Sequence, residues 1–170
     1  MAEREEAEKA AQQGMEAQGG AALARSLMAS QRVGVLATIS ARHAGAPYTS
    51  LAPFAVTSRG DPLLLLSALA QHTRNLAADP RASLFVHDPA AATRDPRTAP
   101  RLAIVGRVRP VSPADQEDAK AAYLGRHPES RGLFALDFAL CELVVDEAQL
   151  VGGFAAAGWI SGDALRATAG

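Results

Sequence analysis

The sequence predicts a mainly β (α+β) chain, a six-stranded antiparallel β-barrel with short flanking helices. Three observations lead there. At least six extended runs, alternating or continuously apolar, recur at short spacing. Two helical stretches interrupt them, the pattern of a barrel with appended helices. Pro53 falls inside an otherwise extended run, which predicts an edge, a bulge or a barrel corner there.

The elements follow in order. Residues 2–18 are rich in Ala, Glu and Gln, with a Glu5/Lys9 pair four apart, but carry almost no apolar stripe. Residues 1–20 are therefore expected to form a solvated, flexible helical tail ended by Gly19 and Gly20. Leu23, Leu27 and Met28 place an amphipathic helix over 21–30, where the folded domain begins. VGVLATIS, the turn-rich ARHAGAP and PYTSLAPFAVTS together form a β-hairpin signature. SRGD turns the chain into PLLLLS, a buried strand. Residues 70–79 are helical and stop at Pro80, and ASLFVH (82–87) is the fourth strand. Residues 88–100 hold three Pro and no apolar period, which predicts a long loop. Arg101–Val111 is the fifth strand. Ser112 caps a helix from Pro113 to about Leu124, with Pro in its first turn and acids early. A polar turn over 126–132 leads to the sixth strand, Phe138–Val145, and 148–154 continues into a closing segment. The domain is expected to span 21–161, with 162–170 a C-terminal tail.

The 170 residues suit a single domain. The hydrophobic fraction is 48%, but 38 positions are Ala, so large apolar side chains are scarce and burial is expected to lean on a second subunit. A net charge of -1 excludes the electrostatic footprint of a general nucleic-acid binder and argues against an obligatory membrane surface. The one cysteine, Cys141, excludes an intramolecular disulfide framework and a Cys-built zinc cluster. It alternates with Ala139 and Leu143, as a core residue would. No segment approaches the ~18 consecutive apolar residues of a membrane span. The amino terminus is acidic and lacks the pattern of a secretory signal, so a cytoplasmic address is expected.

The most informative local feature is the junction from Ser67 to Asn75, where a buried strand hands over to a helix. Exposed N–H groups at the helix start, with Ser67, Gln71, His72, Thr73, Arg74 and Asn75 around them, could hold a phosphate. The same residues also suit an ordinary helix start capped by Thr73. Tyr48, Thr49 and Ser50 form a second polar patch, and Arg101 opens a strand directly after the long loop. The four His show no clustered spacing, which opposes a His-built metal site. Trp159, the only Trp, suits packing on a ligand, on a neighbouring subunit or within the fold. No Gly-rich phosphate loop and no serine-hydrolase motif is present.

Taken together, RVGVLATIS, PYTSLAPFAV, PLLLLSALAQHTRNLAADPRASLFV, RLAIVGRV and VGGFAAAGWI resemble the pyridoxamine 5'-phosphate oxidase-related FMN-binding split barrels, nearest to the haem-utilization branch. The resemblance covers roughly residues 21–161. It implies a homodimer with FMN sites at the subunit interface. Thr49, Ser50 and Leu51 would lie along the isoalloxazine, and Ser67, Gln71, His72, Thr73 and Asn75 would hold the phosphate. Arg101 would stand near the ring, and Gly152, Gly153 and Trp159 would approach from the other subunit. The implied activity is flavin redox chemistry on an unidentified small molecule.

The chain also departs from that family. Ser50 and Ala55 stand where pyridoxamine phosphate oxidases carry Arg and Lys, and Gln71 and His72 replace an Arg-Lys pair. No His follows His127, whereas haem-handling relatives use a His near the carboxyl terminus or in an added C-terminal domain. That position argues against the haem alternative, for which His127 is the candidate ligand. A flavin-binding module without turnover is the third reading.

Overall fold

The computed structural model describes residues 19–153 and 156–166. Helix α1 (Gly20–Ser30) precedes strands β1 (Val33–Ile39), β2 (Pro47–Val56) and β3 (Pro62–Ser67). Helix α2 (Gln71–Ala78), β4 (Arg81–His87), α3 (Pro89–Arg94) and β5 (Arg101–Pro110) follow. A 3-10 turn (Pro113–Asp115) leads into α4 (Gln116–Arg126), and a 3-10 helix (Pro128–Ala135) leads into β6 (Phe138–Gly153), β7 (Ala156–Ser161) and α5 (Gly162–Arg166).

The strands pair antiparallel throughout the described residues, in the order β3-β2-β1-β4-β5-β6-β7, and a further β3–β6 pairing closes the first six strands into a barrel. Strand β6 makes this closure possible by its length. Its first residues pair with β3, from Leu63↔Glu142 to Ser67↔Phe138, and its later ones carry β7, from Glu147↔Ser161 onward. Pro53 marks a barrel corner. Strand β2 pairs with β1 up to Val33↔Pro53 and with β3 from Phe54↔Leu64, so the residue without an N–H sits where the partner changes.

The run PLLLLS lacks alternation because both faces of β3 are covered. Leu64 and Leu66 join the central core with Leu36, Phe54, Leu84, Ile104 and Leu143. Leu63 and Leu65 face a second core with Val111, Ala119 and Tyr123 beneath α4. Each buried leucine stabilises the fold by about 1.5 to 3 kcal/mol relative to exposure. Helix α1 contributes Ala24, Leu27 and Met28 to the central core, but Leu23, which the spacing placed on the same face, is exposed.

Several expectations change. Residues 88–100 are not a continuous loop, because Pro89–Arg94 forms α3. The Asp88 carboxylate accepts from Ala90 N and Ala91 N at 2.9 and 3.0 Å, with Pro89 in the first turn. The closing segment is the continuation of β6, bent by an irregularity at Val105/Gly106 of its partner. A Cβ on Gly106 would lie 2.1 Å from Val144 O, so only glycine admits this approach. Residues 162–166 are an integral helix and not a tail. Leu165 is fully buried, and Arg166 donates to buried Asp61 at 3.1 Å and to Val145 O at 3.0 Å. The predicted tail over 1–18 lies outside the described residues. Among the described residues no helix is long and apolar enough to cross a membrane.

Candidate functional site

The residues singled out in the sequence fall into two places. The first is the β3–α2 junction. Asn75 is fully buried there, donating from Nδ2 to Thr38 Oγ1 at 3.0 Å and accepting at Oδ1 from Gln71 Nε2 at 2.8 Å and Ala41 N at 3.2 Å. The Thr73 hydroxyl donates to Ser67 O at 2.6 Å, so it does not cap α2 as expected, and N-cap Ala70 offers no side-chain acceptor. Ser67 Oγ donates to Asp137 Oδ2 at 2.5 Å, and the same oxygen lies 3.3 Å from Leu69 N. That hydroxyl holds the Asp137 carboxyl below the usual carboxylate range. His72 lies half-buried with Nδ1 3.2 Å from Ser50 Oγ, and burial lowers its pKa.

The structure therefore brings together Ser50, Ser67, Gln71, His72, Thr73 and Asn75. As arranged, this donor set does not fit a phosphate. Four of the five side chains assigned to the phosphate spend their polar atoms on one another or on the barrel. The exposed Asp137 adds a negative charge where a phosphate would bring a second one. The open first turn of α2 is what remains for an anion.

The second place is the outward face of the sheet. Ser50 points inward with Ala52 and Phe54, whereas Thr49 and Leu51 point outward, because successive strand residues alternate. The three residues assigned to one flavin edge thus divide between two faces. Leu51, Val35, Phe85, Ala103, Gln149 and Trp159 form one cross-strand row. Leu51 is 74% and Trp159 37% exposed. Five strand steps separate them, roughly 24 Å along the sheet. Gly153 ends β6 beside β7. Within one protomer, neither Trp159 nor Gly153 lies beside the β2 residues.

A groove of about 440 Å³ runs along this face between the end of α1 and strands β1, β2 and β4. Val33, Val35, Leu51 and Phe85 supply its apolar wall, and Arg32, His87 and Pro89 complete it. The His87 ring stacks on Phe85 with centroids 5.7 Å apart and planes at 23°. Arg101 is the cross-strand partner of His87. Its guanidinium donates only to the carbonyls of Pro96, Arg97 and Ala99, at 3.2 to 3.3 Å, so no carboxylate among the described residues offsets its charge. Arg32 donates to Glu129 at 2.8 Å.

Other donors are occupied elsewhere. His127, the ligand expected for a haem reading, is buried with Nε2 2.8 Å from Phe54 O and its ring against Tyr123, 4.9 Å between centroids. It is a packing residue of the α4 side. Burial pushes the Tyr123 hydroxyl up to about 12 and raises the half-buried Cys141 thiol, so neither offers an anionic donor near neutral pH. Among the described residues no group of three or more His, Cys, Asp or Glu could hold a metal ion. His87 was not singled out in the sequence. Its signal was the parity of ASLFVH, which puts Ser83, Phe85 and His87 on the face opposite Leu84 and Val86.

A flat apolar prosthetic group with a metal centre and anionic edges is held by an apolar wall, a side-chain donor to the metal such as imidazole, thiolate or phenolate, and nearby cations. The sheet-face groove has all three, and its volume lies within the ~300–1,000 Å³ of ligand sites.

Comparison with known proteins places the chain in a family. Residues 15–165 match the family described as CREG, beta-barrel. The chain is 35% identical over 132 residues to the chloroplastic non-canonical heme oxygenase HOZ of Arabidopsis thaliana, across 76% of this chain and 39% of that protein. A heme binding protein from Mycobacterium smegmatis superposes with a TM-score of 0.79 at 32% identity, over 86% of this chain and 59% of that one. HutZ, the heme storage protein of Vibrio cholerae, gives 0.56 at 26% identity, over 70% and 84%. The chain thus spans about two fifths of the Arabidopsis relative and three fifths of the mycobacterial one. The split-barrel resemblance read in the sequence, with the haem-utilization branch nearest, holds.

Proposed function

Because the chain belongs to the CREG beta-barrel family, we propose that it is a haem-binding protein whose site lies on the outward face of the barrel sheet. One observation carries the reading: the groove of about 440 Å³ joins an apolar wall to an imidazole, with Arg101 paired to His87 across the strands. The names of the Arabidopsis, mycobacterial and Vibrio relatives support it. In this role Val33, Val35, Leu51 and Phe85 exclude water from the porphyrin plane, and Arg101 attracts its propionates. Bound haem supplies iron redox chemistry, and the protein supplies binding and orientation.

The proposal includes a homodimer formed through the same face. Leu51, Val33, Val105 and Trp159 are exposed large apolar residues on β1, β2, β5 and β7. Packing this face against a second copy buries them. It also gives Trp159 a route to the β2 region, from which five strand steps along the sheet separate it within one protomer.

FMN is the second reading, favoured by the open first turn of α2 beside His72 and opposed by Asp137. One titration separates the two. Hemin added to the purified chain is expected to give a saturable Soret band at one haem per protomer, on a species of twice 17.6 kDa. A chain that leaves hemin free but turns yellow with FMN overturns the haem proposal in favour of the second reading. A chain that takes up neither overturns both.

A further inference from the structure

We propose that His87 is the residue of this chain that ligates the haem iron; the inference rests on the haem reading above. Four histidines are available, and they stand in different places. His127 is buried and held by the Phe54 carbonyl, and His72, with Nδ1 against Ser50 Oγ, lines a separate and smaller cavity of about 290 Å³ at the β3–α2 junction. His43 is exposed in the β1–β2 turn and is not among the residues lining the sheet-face groove. His87 alone lines the sheet-face groove. Its ring nitrogens have no hydrogen-bond partner among the described residues, while its neighbours in the groove are mostly apolar.

That combination suits a ligand better than a packing residue. A buried structural histidine satisfies its ring nitrogens with protein or ordered water, as His127 does with the Phe54 carbonyl. His87 is partly exposed, makes no hydrogen bond to another described residue, and is held by its ring face, which stacks on Phe85 at 23°. The stacking limits rotation about the side-chain torsions, so the lone pair is offered from a narrow range of directions. No carboxylate is among the groove's lining residues to compete for the ring. Among the described residues Cys141 and Tyr123 line other parts of the fold, Cys141 packing against the central core and Tyr123 within the core beneath α4.

The test is spectroscopic and uses the full chain. Ferric haem is added to the wild type and to His87→Ala, His87→Gln and His43→Ala, each checked for native circular dichroism. The absorption and electron paramagnetic resonance spectra are then recorded with and without free imidazole. Wild type and His43→Ala are expected to share a nitrogen-ligated spectrum. His87→Ala is expected to lose that signature and to bind haem on the order of tenfold or more weakly, and added imidazole is expected to restore the spectrum. His87→Gln serves if the alanine variant is poorly folded, since it keeps most of the side-chain volume. Wild-type and His87→Ala spectra that coincide overturn the assignment and leave haem binding standing. A wild type that leaves hemin unbound overturns both.

Discussion

Replacing Asn75 by Ala distinguishes a structural residue from a ligand-facing one. The side chain is fully buried and makes three hydrogen bonds, to Thr38, Gln71 and Ala41. A net contribution of about 1 kcal/mol per bond gives about 3 kcal/mol, and the Ala41 N–H left without its acceptor keeps the loss within about 2 to 4 kcal/mol. Against a typical stability of roughly 5 to 15 kcal/mol the variant stays folded. Urea unfolding followed by circular dichroism reads the effect directly. With a slope of roughly 1 to 3 kcal/mol per molar, the midpoint falls by about 1 to 3 M with no change in slope. Haem binding, assigned to the outward face, is expected to persist. A midpoint within about 0.3 M of wild type, together with lost affinity for FMN, would show that Asn75 serves a ligand and does not brace the α2 junction.

Three further outcomes are expected. Asp137→Asn removes the negative charge beside Ser67 and Leu69, so inorganic phosphate and FMN should bind more tightly than to wild type in an equilibrium titration; unchanged affinity means that this carboxylate does not guard the junction. Leu51→Glu puts a charge into the centre of the exposed cross-strand row, and should convert a dimer to a monomer in analytical ultracentrifugation while the thermal transition stays cooperative; a dimer that persists excludes that face. His72 is held by burial below its unfolded pKa of ~6.5, so the unfolded state binds more protons between the two values and stability falls as pH drops through that window. Thermal midpoints of wild type and His72→Gln between pH 7.5 and 5 should show a shallower decline in the variant, and parallel curves would remove His72 as a cause.

Much of the barrel was legible because its signals are local. The alternation in VGVLATI and RASLFVH, the apolar run PLLLLS and the turn around Gly45 each state their own conformation. The helix at Pro89–Arg94 was legible too, since Asp88 followed by Pro89 is an N-terminal signal, but the three Pro of that stretch suggested a loop. The candidate site was less legible. Ser50, Ser67, Gln71, His72, Thr73 and Asn75 do converge, yet as a hydrogen-bonded brace, because a set of donors does not say which acceptors lie beside them. His87 was passed over because counting spacings between histidines tests for a cluster and not for a single ring on an apolar face.

By itself, the sequence determined the strand periods, the hairpin, the place where Pro53 breaks the ladder, and the parity that puts Phe85 and His87 on one side of β4. Only the tertiary structure decided what those residues meet. Barrel closure pairs β3 with β6 and so carries Asp137 to Ser67, 70 residues away in the chain. The folding of α2 against β1 carries Asn75 to Thr38, 37 residues away. The register of β4 on β5 sets Arg101 opposite His87. The physical reason is the same in each case: periodicity specifies how a side chain points relative to its own backbone, whereas its partner is chosen by long-range register, on which local pattern is silent.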